Sequence, residues 1–562
     1  MSYIPPHLRN SSSTTTVTTR RTQSPPLPDT NLSHSSSNST SSATSSSSTF
    51  NSLSFRTSAS VARTISVPQP VFPQWTPSDR VLSFTPDQIE EIRSQLKINV
   101  SVASGSPPAP APIESFEDMC LHQNIMKDIA HHEYTQPTLI QAQAMTVALS
   151  GRDLLGCAET GSGKTAAFTI PMIQHCLAQP PVQRGDGPLA MVLAPTRELA
   201  QQIEKEVKRF SRSLESFRTA IVVGGTKSAD QGSELRAGVD VIVATPGRFI
   251  DHLQQGNTSL SRISFVVLDE ADRMLDMGFE PQIREVMHNL PEKHQTLLFS
   301  ATMPVEIETL AQFKVEYEYL ISPVQVKVGK VSSPTANVSQ VLTKVSESEK
   351  IDCLLALLVE DASQAEKSNQ SFPLTIVFVE RKTRCNEVAE ALVAQGLQAV
   401  ALHGGRSQSE REAALHDFRS GSTTILVATD VASRGLDVTG VAHVINLDLP
   451  KKTEDYVHRI GRTGRAGSTG QATSFYTDRD LFLVGRIKKA IADVESGNTV
   501  AFATGKAARR KEREAAASQK EARNDLSKVM GSTCINIEDK YRFMIAPSVI
   551  TSEGAADSAW DD

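Results

Sequence analysis

The sequence predicts an α/β protein in which two tandem domains each carry a mostly parallel sheet covered by helices. Short apolar runs alternate with longer helical patterns between residues 113 and about 325, and the same rhythm restarts after a polar stretch at about 329–345. The runs are continuously apolar, as in strands that are buried on both faces of a parallel sheet. A chain of 562 residues has room for two such domains. Open parallel sheets bind ligands at the carboxyl ends of their strands, where functional residues are therefore expected.

Ten apolar runs are predicted to be the strands of these two domains. In the first domain, 113–328, they are DLLGCA (153–158), AMVLA (190–194), TAIVVGG (219–225), VDVIVAT (239–245), FVVLDE (265–270) and TLLFSAT (296–302). In the second domain, 346–492, they are LTIVFVE (374–380), AVALHG (399–404), TTILVAT (423–429) and HVINLD (443–448). Residues 329–345 are predicted to be the linker between the domains.

The segments that flank the two domains have different compositions. Residues 1–80 are dominated by Ser and Thr and contain too little apolar surface to offset the entropy of ordering, so we predict a disordered tail. Residues 81–112 contain a short helical pattern, FTPDQIEEIRSQLKI, followed by the Pro-rich SGSPPAPAP, which is typical of a stiff linker. The tail 493–562 is charged, and its Ala-rich part at 505–525 fits either a solvated helix or a helix that forms on RNA.

Composition restricts the function classes only weakly. The formal net charge of −6 disfavours a nonspecific polyanion binder, but it does not exclude a site in which backbone amides and a few arginines bind phosphate. Six cysteines show no C-x-x-C pair and no metal-ligand spacing, which indicates reduced thiols. No apolar run approaches the length of about 18 residues that a membrane span requires.

The segment AETGSGKT, at the end of the first apolar run, predicts a phosphate-binding loop. A helix that starts in small residues presents bare backbone N–H groups to phosphate oxygens. Lys164 would reach the outer phosphates, and Thr165 would offer its hydroxyl to Mg²⁺. A tight turn without a ligand does not explain this Lys–Thr pair. The residues predicted to bind the nucleotide here are Ala158, Glu159, Thr160, Gly161, Ser162, Gly163, Lys164 and Thr165.

The segment VVLDEAD predicts the catalytic carboxylates. An apolar strand that ends in an Asp–Glu pair supplies two functions. Asp269 would hold Mg²⁺, and Glu270 would orient and deprotonate an attacking water. Acidic clusters are usually solvated loops, but this one follows a buried strand and a phosphate-binding loop.

With these two segments the chain resembles the DEAD-box family of RNA helicases, within helicase superfamily 2, and similar motifs continue from Phe116 to about Thr477. The resemblance implies RecA-like domains, an enzyme that hydrolyses ATP with Mg²⁺, and RNA as the partner. YTQPTLIQ (134–141) is similar to the family's Q motif, which we place within 114–142. The resemblance implies that Gln141 reads the adenine edge, with Tyr134 and Phe116 near the base. Glu133 stands where many relatives have glycine.

The resemblance also implies which residues bind RNA and which complete the catalytic site. Ser300 and Thr302 would couple hydrolysis to unwinding by bridging to the DEAD carboxylates. The residues implied to contact RNA are Pro195, Thr196, Arg197, Gly224, Gly225, Thr245, Pro246, Gly247, Arg248, Gly404, Gln408, Arg411 and Thr429. Some of these arginines are expected to hold loops instead, and Arg197 can form an ion pair with the adjacent Glu198.

Three residues of the second domain are implied to act on the nucleotide. Asp437 would contact the ribose, while Arg462 and Arg465 would act as arginine fingers on the γ-phosphate. Because they lie in a different domain from Lys164, hydrolysis would require the domains to close. His403 and His458 are expected to be structural hydrogen-bonding groups rather than proton carriers.

Several functions stay open at the level of sequence. The leading hypothesis is an RNA-stimulated ATPase that separates short duplexes, the second is an ATP-gated RNA clamp, and a catalytically inactive interaction protein is disfavoured by the intact motifs. RNA is favoured over DNA, with little sequence preference and a monomeric core.

The segments outside the two domains give conflicting indications of partners. The opening YIPPHLR resembles tails of the translation-linked subgroup, whereas FTPDQIEEIRSQLKI resembles the splicing- and ribosome-associated group. Ribonucleoprotein partners and translation-factor partners therefore both stay open. Cytoplasm or nucleus is expected, and organelle import through residues 1–75 is the alternative. The stretch 313–319 resembles an insertion.

Overall fold

The computed structural model describes residues 68–103, 105–302, 320–329, 337–368, 371–430, 438, 440–464 and 468–495. Several predictions fall outside these residues. They concern residues 1–67 of the tail predicted at 1–80, the insertion at 313–319, residues 496–562 of the tail predicted at 493–562, and the individual residues Asp437 and Arg465. The prediction of disorder is wrong for residues 68–80, because Trp75 and Ser78 form hydrogen bonds to the first domain. The first three residues of the tail predicted at 493–562 end the helix Leu481–Glu495. Within the described ranges, none of the helices combines the length and the apolar character that crossing a membrane requires.

The first domain is built on an eight-stranded sheet in the order β1-β8-β2-β7-β6-β3-β5-β4. All neighbouring pairs are parallel except the edge pair of β1 and β8, which is antiparallel. The strands are β1 (Ile98–Ser101), β2 (Leu154–Cys157), β3 (Ala190–Leu193), β4 (Thr219–Val222), β5 (Val241–Ala244), β6 (Phe265–Leu268), β7 (Gln295–Ser300) and β8 (Val324–Val328).

Helices cover both faces of this sheet, and buried apolar side chains on each face form a separate core cluster. The helices are α1 (Asp79–Leu82), α2 (Pro86–Gln95), α3 (Gln123–His131), α4 (Leu139–Leu149), α5 (Lys164–Leu177), α6 (Arg197–Phe210), α7 (Ser228–Ala237), α8 (Pro246–Gln254), α9 (Ala271–Asp276) and α10 (Glu280–His288), with a 3₁₀ turn at Phe116–Met119.

The second domain has a six-stranded sheet in the order β11-β12-β10-β13-β14-β9, parallel throughout. Its strands are β9 (Val338–Lys344), β10 (Leu374–Phe378), β11 (Ala399–Leu402), β12 (Ile425–Ala428), β13 (Val441–Asn446) and β14 (Gly470–Tyr476). Its helices are α11 (Lys350–Lys367), α12 (Lys382–Ala394), α13 (Gln408–Ser420), α14 (Thr453–Ile460) and α15 (Leu481–Glu495), with a 3₁₀ turn at Asp478–Asp480.

Each of the ten predicted apolar runs coincides with all or most of one strand, which confirms the predicted α/β class with two mostly parallel sheets. Four further strands, β1, β8, β9 and β14, were not predicted. Part of the predicted linker, 338–344, is the edge strand β9 paired with β14. Its burial alternates and several of its side chains are polar, so it lacks the continuous apolar pattern on which the prediction relied.

The segment before the first domain packs against it. Pro86 starts α2, where Thr85 and Gln88 form a reciprocal capping box, and the chain then adds β1 to the sheet edge. Arg93 is buried and donates from Nη2 to the carbonyls of Ala109 (3.2 Å) and Pro110 (2.8 Å). The Pro-rich stretch predicted as a linker is therefore held on the surface of the first domain.

Candidate functional site

A cavity of about 250 Å³ lies at the carboxyl end of the first sheet and has one wall from the second domain. Arg462, only 5 % exposed, supplies that wall. The lining residues are Tyr134, Thr160, Gly161, Gly163, Lys164, Thr165, Ala166, Leu199, Gln202, Glu206, Arg209, Asp269, Glu270 and Arg462.

The loop between β2 and α5 forms the floor of this cavity. Gly161 and Gly163 have φ angles of +83° and +94°, a region that glycine adopts without strain. Lys164 begins α5, and its Nζ donates to the carbonyl of Glu159 at 2.9 Å and to that of Ala158. Desolvation lowers the pKa of Lys164, and the nearby Asp269 and Glu270 carboxylates oppose this shift. A lysine held this way is poised to exchange carbonyl partners for phosphate oxygens.

Asp269 and Glu270 follow β6 directly and face the same cavity. Burial, reinforced by the negative charge of Glu270, raises the pKa of Asp269 to about 7. Glu270 adopts a left-handed conformation with φ of +50°, which is strained for a residue with a Cβ. Such strain is typical of functional positions because the surrounding fold must enforce it.

Asp272 joins the DEAD segment to two other predicted motifs. Its Oδ2 accepts a hydrogen bond from the Thr302 hydroxyl and lies 3.5 Å from Nε2 of His458 in the second domain. Burial tends to raise the pKa of Asp272, but His458 and the Thr302 hydroxyl hold it below the ordinary range. The Ser300 hydroxyl instead donates to the backbone carbonyl of Thr302 at 2.6 Å. The predicted bridge to a DEAD carboxylate is therefore made by Thr302, whereas Ser300 shapes the turn.

Aromatic side chains surround the other end of the cavity. Tyr134 lines it, with Phe116 packed edge-on behind at 6.2 Å and Phe210 at 5.3 Å between ring centroids. The Arg209 guanidinium lies 5.9 Å from the Tyr134 ring centroid. Phe116 is 2 % exposed, so it supports Tyr134 rather than lining the cavity itself. Glu133 has φ of +59°, a left-handed conformation that glycine adopts more readily than a residue with a Cβ.

Gln141 connects this end to the phosphate-binding loop. Its Oε1 accepts the Thr138 N–H at 2.9 Å, and its Nε2 donates to the Gly163 carbonyl at 3.1 Å. The side chain is 1 % exposed. In this structure the amide is therefore bound within the protein, and reading an adenine edge would require it to exchange these bonds.

The predicted RNA segments of the first domain lie together around the start of α6. The Arg197 guanidinium packs on Gly224 and Gly225, where any Cβ would collide with it. Thr196 caps α6, and Thr245 is the residue before Pro246 at the start of α8. Arg248 forms an ion pair with Asp251 at 3.3 Å.

The second domain meets this region directly. Arg197 Nη1 lies 3.4 Å from Gln408 Oε1, and Gln201 donates to Glu412 at 2.9 Å. Arg411 pairs with Glu198 at 2.5 Å, and both side chains are nearly buried. Arg411 therefore holds the domains together, and the expected local pair between Arg197 and Glu198 is replaced by this one. Gly404 and Thr429 follow β11 and β12 in the second domain.

Two further ion pairs cross between the domains beside the cavity, and sequence reasoning did not identify them. Arg273 in α9 contacts Asp455, and Lys452 contacts Asp276 at 2.6 Å. His403 makes structural hydrogen bonds to Asn386 and to the Gly405 N–H, as expected. No local pattern signals Asp455 or Lys452, because their partners lie in the other domain.

Comparisons with known proteins agree with this arrangement. The chain matches the DEAD/DEAH box helicase family over residues 138–310 and the helicase conserved C-terminal domain over residues 349–467. It is 45 % identical to the ATP-dependent RNA helicase DBP2 of Debaryomyces hansenii over 68 % of this chain and 70 % of that protein. It is 43 % identical to DEAD-box ATP-dependent RNA helicase 20 of Arabidopsis thaliana over 71 % of this chain and 76 % of that protein.

Solved structures show the same two-domain fold. S. cerevisiae Dbp5 bound to RNA and ADP BeF3 superposes with a TM-score of 0.59 at 27 % identity, over 69 % of this chain and 99 % of that one. Mss116p bound to ssRNA and AMP-PNP superposes with a TM-score of 0.60 at 26 % identity, over 70 % and 79 %. The sheets, the cavity shared by two domains and the sequence matches lead to one conclusion: the chain belongs to the DEAD-box family and is an ATP-dependent RNA helicase.

Proposed function

We propose that ATP binds in the shared cavity with its phosphates at the start of α5 and its base toward Tyr134 and Gln141. The observation that carries this proposal is Arg462, a second-domain side chain in the same cavity as Lys164 and Glu270. Backbone N–H groups of the loop 158–163 would hold the phosphates, with Lys164 on the outer ones. Asp437 would contact the ribose.

Mg²⁺ fits the oxygen donors at the phosphate end. Thr165 offers a hydroxyl and Asp269 a carboxylate on the wall of one cavity, and Mg²⁺ prefers a few such oxygens completed by phosphate and water. When bound, the ion would neutralise negative charge on the phosphates. We therefore propose Thr165 and Asp269 as its protein contacts.

Glu270 would act as the general base. Its carboxylate lines the cavity beside Lys164, where it can orient a water and accept its proton. Arg462, with Arg465, would stabilise the charge that develops on the γ-phosphate, as an arginine finger does. Because Arg462 is reached only when the domains meet, efficient hydrolysis depends on the contact seen in this structure.

RNA would bind across both domains on the segments around the start of α6 and the strand ends of the second domain. Thr196, Thr245 and Thr429 supply hydroxyls, and Gly247 and Gly404, which have open space beside them, allow close approach of a phosphate backbone. Gly224 and Gly225 make room for the Arg197 guanidinium, and an RNA backbone would reach them only together with that side chain. Arg197, Arg248 and Arg411 form a positively charged cluster, in which desolvation and the charges of the two neighbouring guanidinium groups lower the pKa of Arg197. One RNA strand bound to both domains would favour their closure, so RNA binding and hydrolysis become coupled.

We propose local separation of short duplexes, or remodelling of RNA–protein complexes, as the output of this cycle. An ATP-gated RNA clamp would use the same site. The rate at which one enzyme molecule completes cycles of RNA binding and release distinguishes the clamp from a helicase that unwinds. Repeated strand displacement by one enzyme molecule supports unwinding, whereas slow nucleotide release with long-lived RNA binding supports the clamp.

Substitution of Glu270 by Gln tests the catalytic assignment. Glu270→Gln should bind ATP and RNA nearly as the wild type does, while kcat falls by about 10²-fold or more, because the base is lost and the shape is kept. Fluorescent-nucleotide binding and RNA-stimulated phosphate release measure the two effects. Unchanged hydrolysis would show that Glu270 is not the base. Glu280→Gln, on the first-domain surface helix α10, is the matched control and should leave both quantities unchanged.

The choice of RNA over DNA is tested separately. RNA recognition through the 2′-hydroxyl and the backbone predicts strong ATPase stimulation by RNA and weak stimulation by DNA of identical sequence. Equal stimulation would contradict the proposed substrate while leaving the ATP site intact.

The remaining assignments are proposals on the resemblance alone. We propose 113–328 and 346–492 as the limits of the two domain cores, to which β1 adds an edge strand before the first and β9 an edge strand before the second. We also propose a monomeric core, and work in the cytoplasm or nucleus with RNP or translation-factor partners bound by the tails. Imaging of the full chain, with and without residues 1–75, separates this from organelle import, since loss of an organelle signal on deletion would favour import. The mass of the purified protein in solution tests the monomeric core.

A further inference from the structure

The segment 68–82, which we call the strap, crosses the first domain ahead of the sequence that matches the helicase family. One end of the strap is fixed at the C-terminal end of α5, to His175 within the helix and to Gln179 just after it. The Gln179 side chain accepts the Val71 N–H at 2.9 Å and donates to the Val71 carbonyl at 2.6 Å. The Phe72 ring lies 5.4 Å from that of His175, also in α5. The strap is thus attached to the helix whose first residue is Lys164.

The other end of the strap is fixed to the 3₁₀ turn at Phe116–Met119. Trp75 donates from its indole N–H to the Met119 carbonyl at 2.8 Å. Ser78 bonds Asp118 twice, from its backbone N–H to the carbonyl (3.0 Å) and from its hydroxyl to Oδ1 (2.7 Å). Arg80 pairs with Asp118 and, at 2.6 Å, with Glu114. These contacts determine where the turn lies.

The position of this turn places the Phe116 ring behind Tyr134, at the end of the cavity where the adenine base is proposed to lie. Phe116 is its first residue and is fully enclosed. Its ring stands edge-on to Tyr134, which lines the cavity and is held from the other side by Phe210 and Arg209. Phe116 does not line the cavity itself, so its influence on a nucleotide passes through Tyr134. The chain of contacts therefore runs from the strap through the turn to Phe116 and Tyr134.

We propose that the strap is a positioning element for the adenine base, so that selection of ATP over other nucleotides depends on Trp75, Ser78 and Arg80. This inference rests on the proposed function, in which the base lies toward Tyr134. A displaced turn would loosen Phe116 and broaden the orientations of the Tyr134 ring. Contacts to the base would weaken, whereas the phosphate contacts of Lys164 would be unaffected.

The test uses the full chain with saturating RNA, and compares ATP with GTP. Arg80→Ala and Trp75→Phe each remove contacts to the turn while leaving the apolar packing largely intact. We expect KM for ATP to rise about fivefold with kcat unchanged. The reason is that losing one positioning hydrogen bond weakens binding of the substrate and of the transition state equally, which raises KM alone. KM for GTP should change little, so discrimination between the nucleotides falls. Arg80→Lys should restore most of the discrimination between ATP and GTP that Arg80→Ala loses. Arg284→Ala, which removes an exposed ion pair with Glu280 in α10, is the matched control.

Equal increases in KM for ATP and GTP, a fall in kcat alone, or no change would each overturn the proposal. General destabilisation of the protein would change KM for ATP and KM for GTP alike. The ratio of the two KM values therefore distinguishes destabilisation from a loss of base positioning.

A double-mutant cycle with Tyr134→Ala separates failure of this inference from failure of the proposed site. If the strap acts through Tyr134, Trp75→Phe should add nothing to KM for ATP once Tyr134 is Ala. Additive effects would show that the strap acts elsewhere. If Tyr134→Ala alone leaves KM for ATP and the ATP-to-GTP ratio unchanged, the base does not lie at Tyr134, and the proposed placement of the nucleotide is wrong.

Discussion

Asp269 must satisfy two opposed physical demands. It is 3 % exposed and lies beside Glu270, so its pKa is raised to about 7 from an ordinary value of 3.8. A contact to Mg²⁺ requires the charged form. The folded protein therefore retains a proton that the unfolded chain releases, and this contribution to stability is lost as the pH rises toward 7.

Replacing Asp269 by Asn should show how much the ionised carboxylate destabilises the folded protein. Asn is nearly isosteric and does not ionise, so Asp269→Asn should raise the unfolding temperature more at about pH 8 than at about pH 5, while abolishing Mg²⁺-dependent ATPase activity. Scanning calorimetry without nucleotide measures the difference. An equal gain at both pH values would show that the carboxyl does not titrate in this range.

Glu133 is a second residue with an unfavourable property, because its backbone is in a left-handed conformation that a side chain with a Cβ disfavours. A left-handed conformation costs a residue with a Cβ about 1 kcal/mol, and glycine avoids this cost but loses more chain entropy on folding. Glu133→Gly should therefore leave the free energy of unfolding unchanged or raise it by up to about 1 kcal/mol. Glu390→Gly, on an exposed turn of α12, should lower it by about 1 kcal/mol. Urea unfolding of both variants measures the contrast, and equal losses would contradict the strain at Glu133.

Single residues were predictable where a motif combines a residue type with a strand–loop–helix context. Lys164, Asp269 and Glu270 lie where that reasoning placed them, on one cavity. Gln202, Glu206 and Arg209 line the same cavity but were missed, because they occupy a helix whose pattern is that of an ordinary amphipathic surface. Periodicity alone does not show which exposed turn of a helix faces a ligand.

Among the elements, α13 links local capping to the contact between the domains. Ser407 and Glu410 form a reciprocal capping box at its start, and the first turn carries Gln408 and Arg411, which contact the first domain. A secure first turn therefore holds both contacts in place.

Removal of that cap should have a measurable cost. Ser407→Ala should lower the free energy of unfolding by about 1 kcal/mol, because one helix N–H loses its side-chain acceptor. Ser407→Thr should preserve stability, since its hydroxyl can accept the Glu410 N–H and donate to the Glu410 carboxylate as Ser407 does. Urea denaturation compares the three proteins. Equal stability of the Ala and wild-type proteins would show that solvent replaces the cap.

Ten strands were predicted from the sequence, and the four that were missed are the last two at one edge of each sheet, β1 and β8 in the first and β14 and β9 in the second. Central strands such as β6 are buried on both faces and read as continuous apolar runs. Strands β8 and β9 carry polar side chains on one face, so they resemble linkers until their partners are known. Pairing of β1 with β8 joins segments more than two hundred residues apart, which no local pattern encodes.

In the whole molecule, ion pairs between charged side chains of the two domains contribute to the contact between them. Arg273 is 2 % exposed, and Asp455 of the second domain is its direct carboxylate contact across the cleft. Burial opposes ionisation of the Arg273 guanidinium, but Asp455 and Asp272 raise its pKa overall. When the domains separate, solvent can replace Asp455. The pair should therefore favour closure without being required for each domain to fold.

Asp455→Asn isolates this effect. Loss of the nearest carboxylate to the buried Arg273 guanidinium leaves Asp276 at 3.7 Å, and is unfavourable in the closed state but nearly neutral in an open one, so we expect RNA-stimulated kcat to fall about tenfold. Nucleotide binding to the first domain should stay near wild type, and fluorescence energy transfer between the domains with ATP and RNA should decrease in parallel with kcat. Asp478→Asn, which breaks an exposed pair with Lys344 within the second domain, is the matched control. If the Asp455 variant closes normally yet hydrolyses slowly, the ion pair acts on the chemical step, and closure is maintained by the contacts around Arg411.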